Sequence, residues 1–430
     1  MRLLVTGASG LVGSNLAAAA AQQSWSVLGT WRDTPVSVLG ARTAQLDVTD
    51  RHTCVALAEE LEPDVVVHTA AESSPGRLDR EPRLAELNVL GAENTIAAAR
   101  AVRARYVLVS CDLVFSGLRP SGLCWDEEDP AEPAGALGRS LLGCERLAQR
   151  YQGSWLITRP ADVYGLNLSI PAAASHPSAG GRGAGSGTPG VPRGERAGAA
   201  GGFGLPGNGN GVGGIGLSPA PPAGTSRAAA ALARERHMWE RSGLPLRWVE
   251  WLRAGRPLAA PAGIRRSPTY AWDYAQRVCE LIAQECEGVY NTAGPTILGR
   301  LAHLRLLARA FECDLQLVQE GSPAAFLRAC GEPPDVALPA NTALCDDKAS
   351  FVLGRPATDP FTGHRLMRRE LERLLGWPGP AGTDPPGVPL HTQTNAPLPQ
   401  SPEGPPHPAP VPASSANGAP GGDPSQRALG

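Results

Sequence analysis

Lysine is almost missing from this chain: among 430 residues and 39 basic side chains, Lys348 is the single example. No tyrosine therefore has a lysine four residues later, and none of Tyr106, Tyr151, Tyr164, Tyr270, Tyr274 and Tyr290 has an arginine there either. A charge surplus is lacking as well. With 41 acidic side chains the net charge is -2, and the arginines are spread along the chain. Nucleic acid and anionic membrane are thus not expected as partners, because both need a concentrated positive field. No run of 18 apolar residues exists to span a bilayer, and no charged segment followed by an apolar one precedes the first strand. Neither a membrane anchor nor a secretory leader is expected.

Cysteine motifs are equally scarce. Cys54, Cys111, Cys124, Cys144, Cys279, Cys286, Cys313, Cys330 and Cys345 make an odd number without any Cys-x-x-Cys. That pattern argues against a disulfide framework and a zinc site. The expected setting is a reducing cytoplasm, with the cysteines as small core residues and no bound metal. Core-forming residues run out twice: 168–229 is mostly Gly, Ala, Pro and Ser, and 377–430 is Pro-rich. Neither stretch can offset an ordering entropy of about 1–2 kcal/mol per residue. Both are expected to be disordered, one as an internal insertion and one as a tail.

What is present is an alternation of short apolar runs and helical stretches. Arg2-Leu3-Leu4-Val5 leads into a glycine turn and an Ala-rich helix over Ser14 to Gln22. Runs at Trp25–Thr30, Ala44–Val48, Val65–Ala71, Tyr106–Ser110 and Trp155–Thr158 follow, with helices expected near Cys54–Leu61 and Arg83–Val102. Val65-Val66-Val67 shows no polar alternation, so it is read as buried on both faces. The fold class is α/β, a Rossmann-type doubly wound parallel sheet over 1–167. Residues 230–376 are read as completing that fold and adding a smaller C-terminal α/β domain of substrate type. In that half a helix is expected over Trp272–Gln284 and a short strand at Gly288–Asn291, and Thr296 reads as the N-cap of a helix bearing Ile297, Leu301, Leu304, Ala308 and Phe311.

Thr6-Gly7-Ala8-Ser9-Gly10-Leu11-Val12-Gly13 joins the first strand to the first helix. Glycines at that junction let the chain turn tightly, bring backbone N–H groups to a pyrophosphate, and pack helix on strand. Gly7, Ser9, Gly10, Leu11, Val12 and Gly13 are therefore candidate cofactor contacts. After the second strand the chain offers Thr30-Trp31-Arg32; a cation there accommodates the extra phosphate of NADP, so Arg32 favours NADP, with NAD as the alternative. Asp47 and Val48 are read as flanking the adenine, Asp47 accepting from its amine, and Ala70 and Ala71 as small enough to let the cofactor lie against the sheet. His68, inside a buried strand, reads as a core histidine bonded to backbone, and Asp112 as a residue that orients a turn.

The glycine loop, His68-Thr69-Ala70-Ala71-Glu72 with Glu81-Pro82 and Asn88-Val89, Ser110-Cys111-Asp112-Leu113-Val114-Phe115-Ser116-Gly117, Glu127-Glu128-Asp129-Pro130, and Arg159-Pro160 with Val163-Tyr164-Gly165 together carry a resemblance. So do Arg266-Ser267-Pro268-Thr269, Asp273-Tyr274-Ala275, Gly288-Val289-Tyr290-Asn291 and Pro339-Ala340-Asn341-Thr342-Ala343-Leu344. They resemble the extended short-chain dehydrogenases, in particular the group containing dTDP-4-dehydrorhamnose reductase and the regulatory β subunit of methionine adenosyltransferase. In active members, the resemblance implies, a Ser or Thr, a Tyr and a Lys cooperate: the tyrosine gives a proton to a carbonyl as hydride arrives, and the lysine lowers its pKa. Here Cys111, Leu137 and Leu141 occupy those positions, so no catalytic residue is carried over. A compositional bias explains arginine for lysine on a surface; it explains leucine for lysine in a site poorly. Two substitutes are considered: a Cys111 thiolate, which needs a cationic neighbour that the local sequence lacks, and Tyr164 as an alternative acid. Three functions remain open. One is a non-catalytic NADP-binding subunit that partners the methionine adenosyltransferase catalytic subunit in S-adenosylmethionine synthesis. The second is a reductase acting on a nucleotide sugar, and the third a cofactor-binding scaffold or redox sensor.

Overall fold

The computed structural model of the chain describes residues 1–172, 244–336 and 338–375. The greater part of the expected insertion, and the whole of the expected tail, lie outside the described residues. In chain order the strands are β1 (Arg2–Thr6), β2 (Ser26–Trp31), β3 (Val36–Val38), β4 (Arg42–Gln45), β5 (Val65–His68), β6 (Arg105–Val109), β7 (Trp155–Arg159), β8 (Val163–Tyr164), β9 (Ser169–Pro171), β10 (Leu258–Ala260), β11 (Arg265–Arg266), β12 (Thr269–Tyr270), β13 (Gly288–Asn291), β14 (Leu298–Gly299) and β15 (Val318–Glu320). The α-helices are α1 (Leu11–Gln22), α2 (Arg51–Leu61), α3 (Pro75–Arg80), α4 (Arg83–Ala101), α5 (Ala136–Gln149), α6 (Leu244–Arg253), α7 (Ala271–Ala283), α8 (Arg300–Ala310), α9 (Pro323–Cys330), α10 (Asp347–Leu353) and α11 (Pro360–Leu375).

Seven strands form one parallel sheet in the order β13-β7-β6-β5-β1-β2-β4. Its centre explains the uninterrupted apolar runs. Leu3, Val5, Val27, Val65, Val67, Val107 and Leu156 point into one core, while Leu4, Leu28, Val66, Tyr106, Leu108 and Ile157 point into another. Successive side chains of a strand face opposite ways, so a sheet covered on both sides needs an apolar residue at every position. α1 and α7 cover the first face, where the buried Ala17, Ala18, Ala19 and Ala20 let the two helices approach closely. α2, α4 and α5 cover the second. Each fully buried Val or Leu contributes about 1.5–3 kcal/mol, and the resulting platform fixes the strand ends on which the site is built.

The second half of the sequence does more than append a smaller domain. β13 completes the first sheet beside β7, and several contacts fasten residues 244–375 to residues 1–172. Trp125 N–H donates to Ala343 O at 2.8 Å, and Cys345 N–H to Trp125 O at 2.8 Å. Asp112 is more than a turn residue: buried, it lies 3.3 Å from the Arg266 guanidinium and accepts from Thr342 Oγ1.

Three expectations are corrected. Residues 168–172 are ordered, with β9 pairing antiparallel with β3, so the boundary at 168 falls too early. Thr296 is not an N-cap: Leu298 and Gly299 pair with Arg266 and Arg265, which delays the helix to Arg300 and leaves Gly299 at its cap. Cys124 and Cys345 form a disulfide, while the other seven cysteines are free. The Trp125–Leu344 backbone pairing aligns those two cysteines, a juxtaposition across 221 residues that spacing alone does not reveal. Among the described residues no helix is long and apolar enough to cross a membrane, and no group of His, Cys, Asp and Glu could hold a metal ion.

Candidate functional site

β1 and β5 are neighbours in the sheet although the chain runs from β1 to β2 on one side and from β5 to β6 on the other. Outside the carboxyl ends of such strands an open α/β sheet offers a crevice. A cavity of about 350 Å³ lies there.

Its floor is the glycine loop. Gly7 has φ 73°, and a Cβ on it would lie 2.9 Å from the Ala70 backbone. A Cβ on Gly13 would come within 2.4 Å of Gly7 O. Gly10 is the N-cap of α1, and no side chain caps that helix. Its first amides are left for water or an anion, and the helix dipole favours the anion. The loop is held from behind: Asn167 Nδ2 donates to Ser9 O at 3.0 Å, Ser169 Oγ to the same oxygen at 3.2 Å, and Asn15 Nδ2 to Leu166 O at 2.9 Å.

Of the predicted contacts, Gly7, Ser9, Gly10, Arg32, Val48, Ala70 and Ala71 line the cavity together. Leu11, Val12 and Gly13 do not reach its lining; they form the first turn of α1. Asp47 also lies outside it, exposed, with its carboxylate accepting from Thr49 N–H at 2.9 Å and Thr49 Oγ1 at 2.8 Å. Val48 and Thr49 take the wall position instead. Arg32 is 62% exposed and gives Nε and NH2 to Asp33 at 3.0 and 2.8 Å.

Sequence reasoning missed the opposite wall. Leu84, Leu87 and Asn88, on the first turns of α4, face Leu46 and Val48 across an apolar slot. Their i, i+3, i+4 spacing is the signal that was available. Glu72 and Arg77 complete the rim as an ion pair at 2.6 Å. Asn88 accepts from Glu72 N–H at 2.8 Å and donates to Ser140 Oγ at 3.2 Å, joining this wall to α5.

Cys111, Leu137 and Leu141 do come together, as residues of a single apolar cluster. Leu137 is 6% and Leu141 7% exposed, packed with Leu78, Val114, Phe115, Trp125 and Leu344, and Cys111 rests against them. No tyrosine or lysine belongs to this cluster among the described residues. Burial, with Asp112 beside it, pushes the Cys111 thiol above its ordinary range, and burial pushes the Cys144 thiol up to about 12. Thiols so placed are inert. Tyr164 offers no substitute: its hydroxyl donates to Pro360 O at 3.1 Å, burial raises its pKa, and it does not line the cavity. His68 Nδ1 lies 2.9 Å from Thr6 Oγ1, a hydroxyl rather than the expected backbone group, and burial pulls its pKa down to about 4. Lys348 donates to Val289 O and stands 4.4 Å over the Tyr290 ring.

Residues 1–169 match the family model described as the RmlD substrate binding domain. That segment is similar to the RmlD family. Over 166 residues the chain is 33% identical to methionine adenosyltransferase 2 subunit beta of Xenopus laevis, covering 38% of this chain and 47% of that protein. It is 32% identical over 165 residues to dTDP-4-dehydrorhamnose reductase of Burkholderia thailandensis, covering 38% and 51%. The chain thus spans about half the length of the curated relatives it matches. The fold likeness reaches further. A dTDP-4-dehydrorhamnose reductase from Bacillus anthracis, solved in complex with NADP, superposes with a TM-score of 0.60 at 17% identity, over 86% of this chain and 99% of that one. UDP-glucose 4-epimerase from Thermotoga maritima, solved with UDP-glucose, gives 0.60 at 17% identity over 87% and 100%. The matched segment carries both the glycine loop and the positions of Cys111, Leu137 and Leu141.

Proposed function

We propose that this chain is a dinucleotide-binding, non-catalytic member of the RmlD family that takes NADP in preference to NAD and regulates a methionine adenosyltransferase catalytic subunit. The observation that carries the reading is the contrast within one segment: a glycine turn at the start of α1, which no side chain caps, and an apolar cluster where a proton donor would be needed. The glycine loop and the amides of α1 would hold the pyrophosphate, Val48, Leu84 and Leu87 the adenine, and Arg32 the phosphate on the ribose. Bound NADPH supplies a hydride. For that hydride to reduce a carbonyl, a proton must reach the carbonyl oxygen, and Cys111, Leu137 and Leu141 cannot deliver it. Loss of a general acid alone lowers a rate by roughly 100-fold to 10,000-fold. A cofactor that is held but not consumed suits a subunit whose role is to be recognised, and the likeness to subunit beta proteins over the same segment supports that partner. A cytoplasmic setting goes with this role.

The test is a fluorescence titration of the purified protein with NADPH, with and without dTDP-4-dehydrorhamnose, followed by co-purification with a methionine adenosyltransferase catalytic subunit. Binding without oxidation, together with association at micromolar concentration, is the expected result. Turnover of the nucleotide sugar would replace this reading with that of a reductase. Binding without either turnover or association would leave a cofactor-binding scaffold.

A further inference from the structure

Two arginines stand at the rim of the cavity on different elements, Arg32 after β2 and Arg77 on α3, and each faces a carboxylate that also lines it. Arg32 commits Nε and NH2 to Asp33, and Arg77 commits NH1 to Glu72. Both guanidiniums keep donors that make no protein hydrogen bond among the described residues. Both pairs line the same cavity, and the Arg32 pKa is raised by Asp33 first, and also by Asp47 and Glu72.

Arg77 is not a stray surface residue, because its place is built. Ser74 caps α3 by accepting from Arg77 N–H at 3.2 Å, and Glu72 Oε1 accepts from Ser74 N–H at 3.0 Å. From the other half of the chain, Glu332 accepts from Ser74 Oγ at 2.9 Å and from Gly76 N–H at 3.1 Å. The approach is tight enough that a Cβ on Gly76 would lie 2.2 Å from Glu332 Oε2 and 2.6 Å from Pro333 Cδ. An exposed ion pair adds little to stability, so the energy of the pair does not account for a guanidinium held at a cavity mouth by Glu72, on a helix start that Ser74 and Glu332 fix. Phosphate recognition does, since a guanidinium fork can pair with a carboxylate on one side and a phosphate on the other.

We propose that Arg77 is a second phosphate-recognising residue of this cavity, acting with Arg32 on the phosphate borne by the adenosine ribose of NADP, and that Glu332 is its positioning residue. The proposal rests on the reading that the cavity takes a dinucleotide. Asp33 and Glu72 neutralise the two cations in the absence of ligand, and the ribose phosphate then shares them. The cavity mouth is thereby coupled to residues 331–336, far away in sequence.

Affinities for NADPH, NADH, 2′,5′-ADP and 5′-ADP, measured by calorimetry on the full chain and its variants, test this. Arg77→Gln is expected to weaken NADPH and 2′,5′-ADP about tenfold or more, the loss of a charge-assisted hydrogen bond, and to leave NADH and 5′-ADP unchanged. Glu332→Gln should lose part of the same preference. Glu72→Gln, which removes a competing charge and keeps the oxygen that Ser74 uses, should strengthen the two 2′-phosphorylated ligands. An Arg77→Gln protein with unchanged NADPH affinity, or one weakened equally for all four ligands, overturns the proposal while leaving the dinucleotide reading intact. Wild-type protein that binds none of the four overturns both.

Discussion

Leu141 marks a point at which an ionisable side chain would face strong opposition. At 7% exposure among Leu78, Val114 and Phe115, an ammonium there would be desolvated, and Glu145 one turn on is already committed to Arg159. Leu141→Lys is expected to lower stability by about 3–5 kcal/mol, whereas Leu141→Met, which conserves volume, should cost less than about 1.5 kcal/mol; urea midpoints at pH 7.5 compare the two. A second cluster decides the response to acid. His303 Nε2 and His364 Nε2 are 3.0 Å apart, both buried, and His303 Nδ1 lies 3.2 Å from Asp162 Oδ2, which also pairs with Arg300. Tyr164 packs against both rings, with its hydroxyl on Pro360 O. Burial lowers the pKa of both histidines, that of His364 far more, with His303 itself opposing a charge on His364. A group whose pKa is lowered on folding binds fewer protons than in the unfolded chain, so its contribution is complete above the unfolded value of about 6.5 and declines as the pH falls below it. Asp162, also held low, is lost only in much stronger acid, and Asp346, which burial pushes up to about 6 despite Arg277, acts in the opposite direction over the same range. The histidine contribution is therefore read by difference. Between pH 7.5 and 5.5 the wild-type urea midpoint should fall further than that of His364→Gln; equal falls would show that the pair takes up protons as readily in the folded protein as in the unfolded chain.

Among the elements, the strand–turn–helix at the start of the chain tolerates little change. Gly13→Ala would force a methyl group to 2.4 Å from Gly7 O, while Gly10→Ala meets that oxygen at 3.3 Å. The first substitution should abolish NADPH binding in titration, and the second only weaken it. This element was legible in sequence because each glycine answers a local steric demand. The central strands were legible for a related reason: a sheet covered on both faces writes itself as an unbroken run such as Val65-Val66-Val67. What could not be read depends on partners remote in sequence. β3 and β9 have three residues each and exist through their mutual pairing, Val36 opposite Pro171. β14 exists through Arg265 and Arg266, and claims residues that otherwise read as the entry to α8. In the site, Arg32 and Val48 follow from the ends of their strands, whereas Arg77 is set at the rim by Glu332, and Asp47 is turned from the cavity by Thr49. The first arrangement leaves no trace in local spacing; the second, an aspartate with a threonine two residues on, is a local turn signal.

For the molecule as a whole, the Cys124–Cys345 bond closes a ring across 221 residues. On a chain-entropy account, closing such a ring in the unfolded chain is worth about 5 kcal/mol. Cys345→Ser should therefore shift the urea midpoint down by much the same amount as added reductant does to the wild type, and reductant should leave the variant unmoved. A reducing cytoplasm would select the thiol form, which alkylation in freshly lysed cells would register as two added labels. The late arrival of β13 has another consequence, one of timing on the ribosome. β7 ends at Arg159 and its outer neighbour begins at Gly288, so at about 5–20 residues per second the nascent sheet waits roughly 6 to 26 s for its last strand. Through that interval the carbonyls and amides of β7 form an unguarded border, open to any extended segment of another emerging chain. Yield in rapid expression should thus be limited by co-aggregation on polysomes, and slowing elongation should not relieve it, because slower synthesis prolongs the exposure it is meant to shorten.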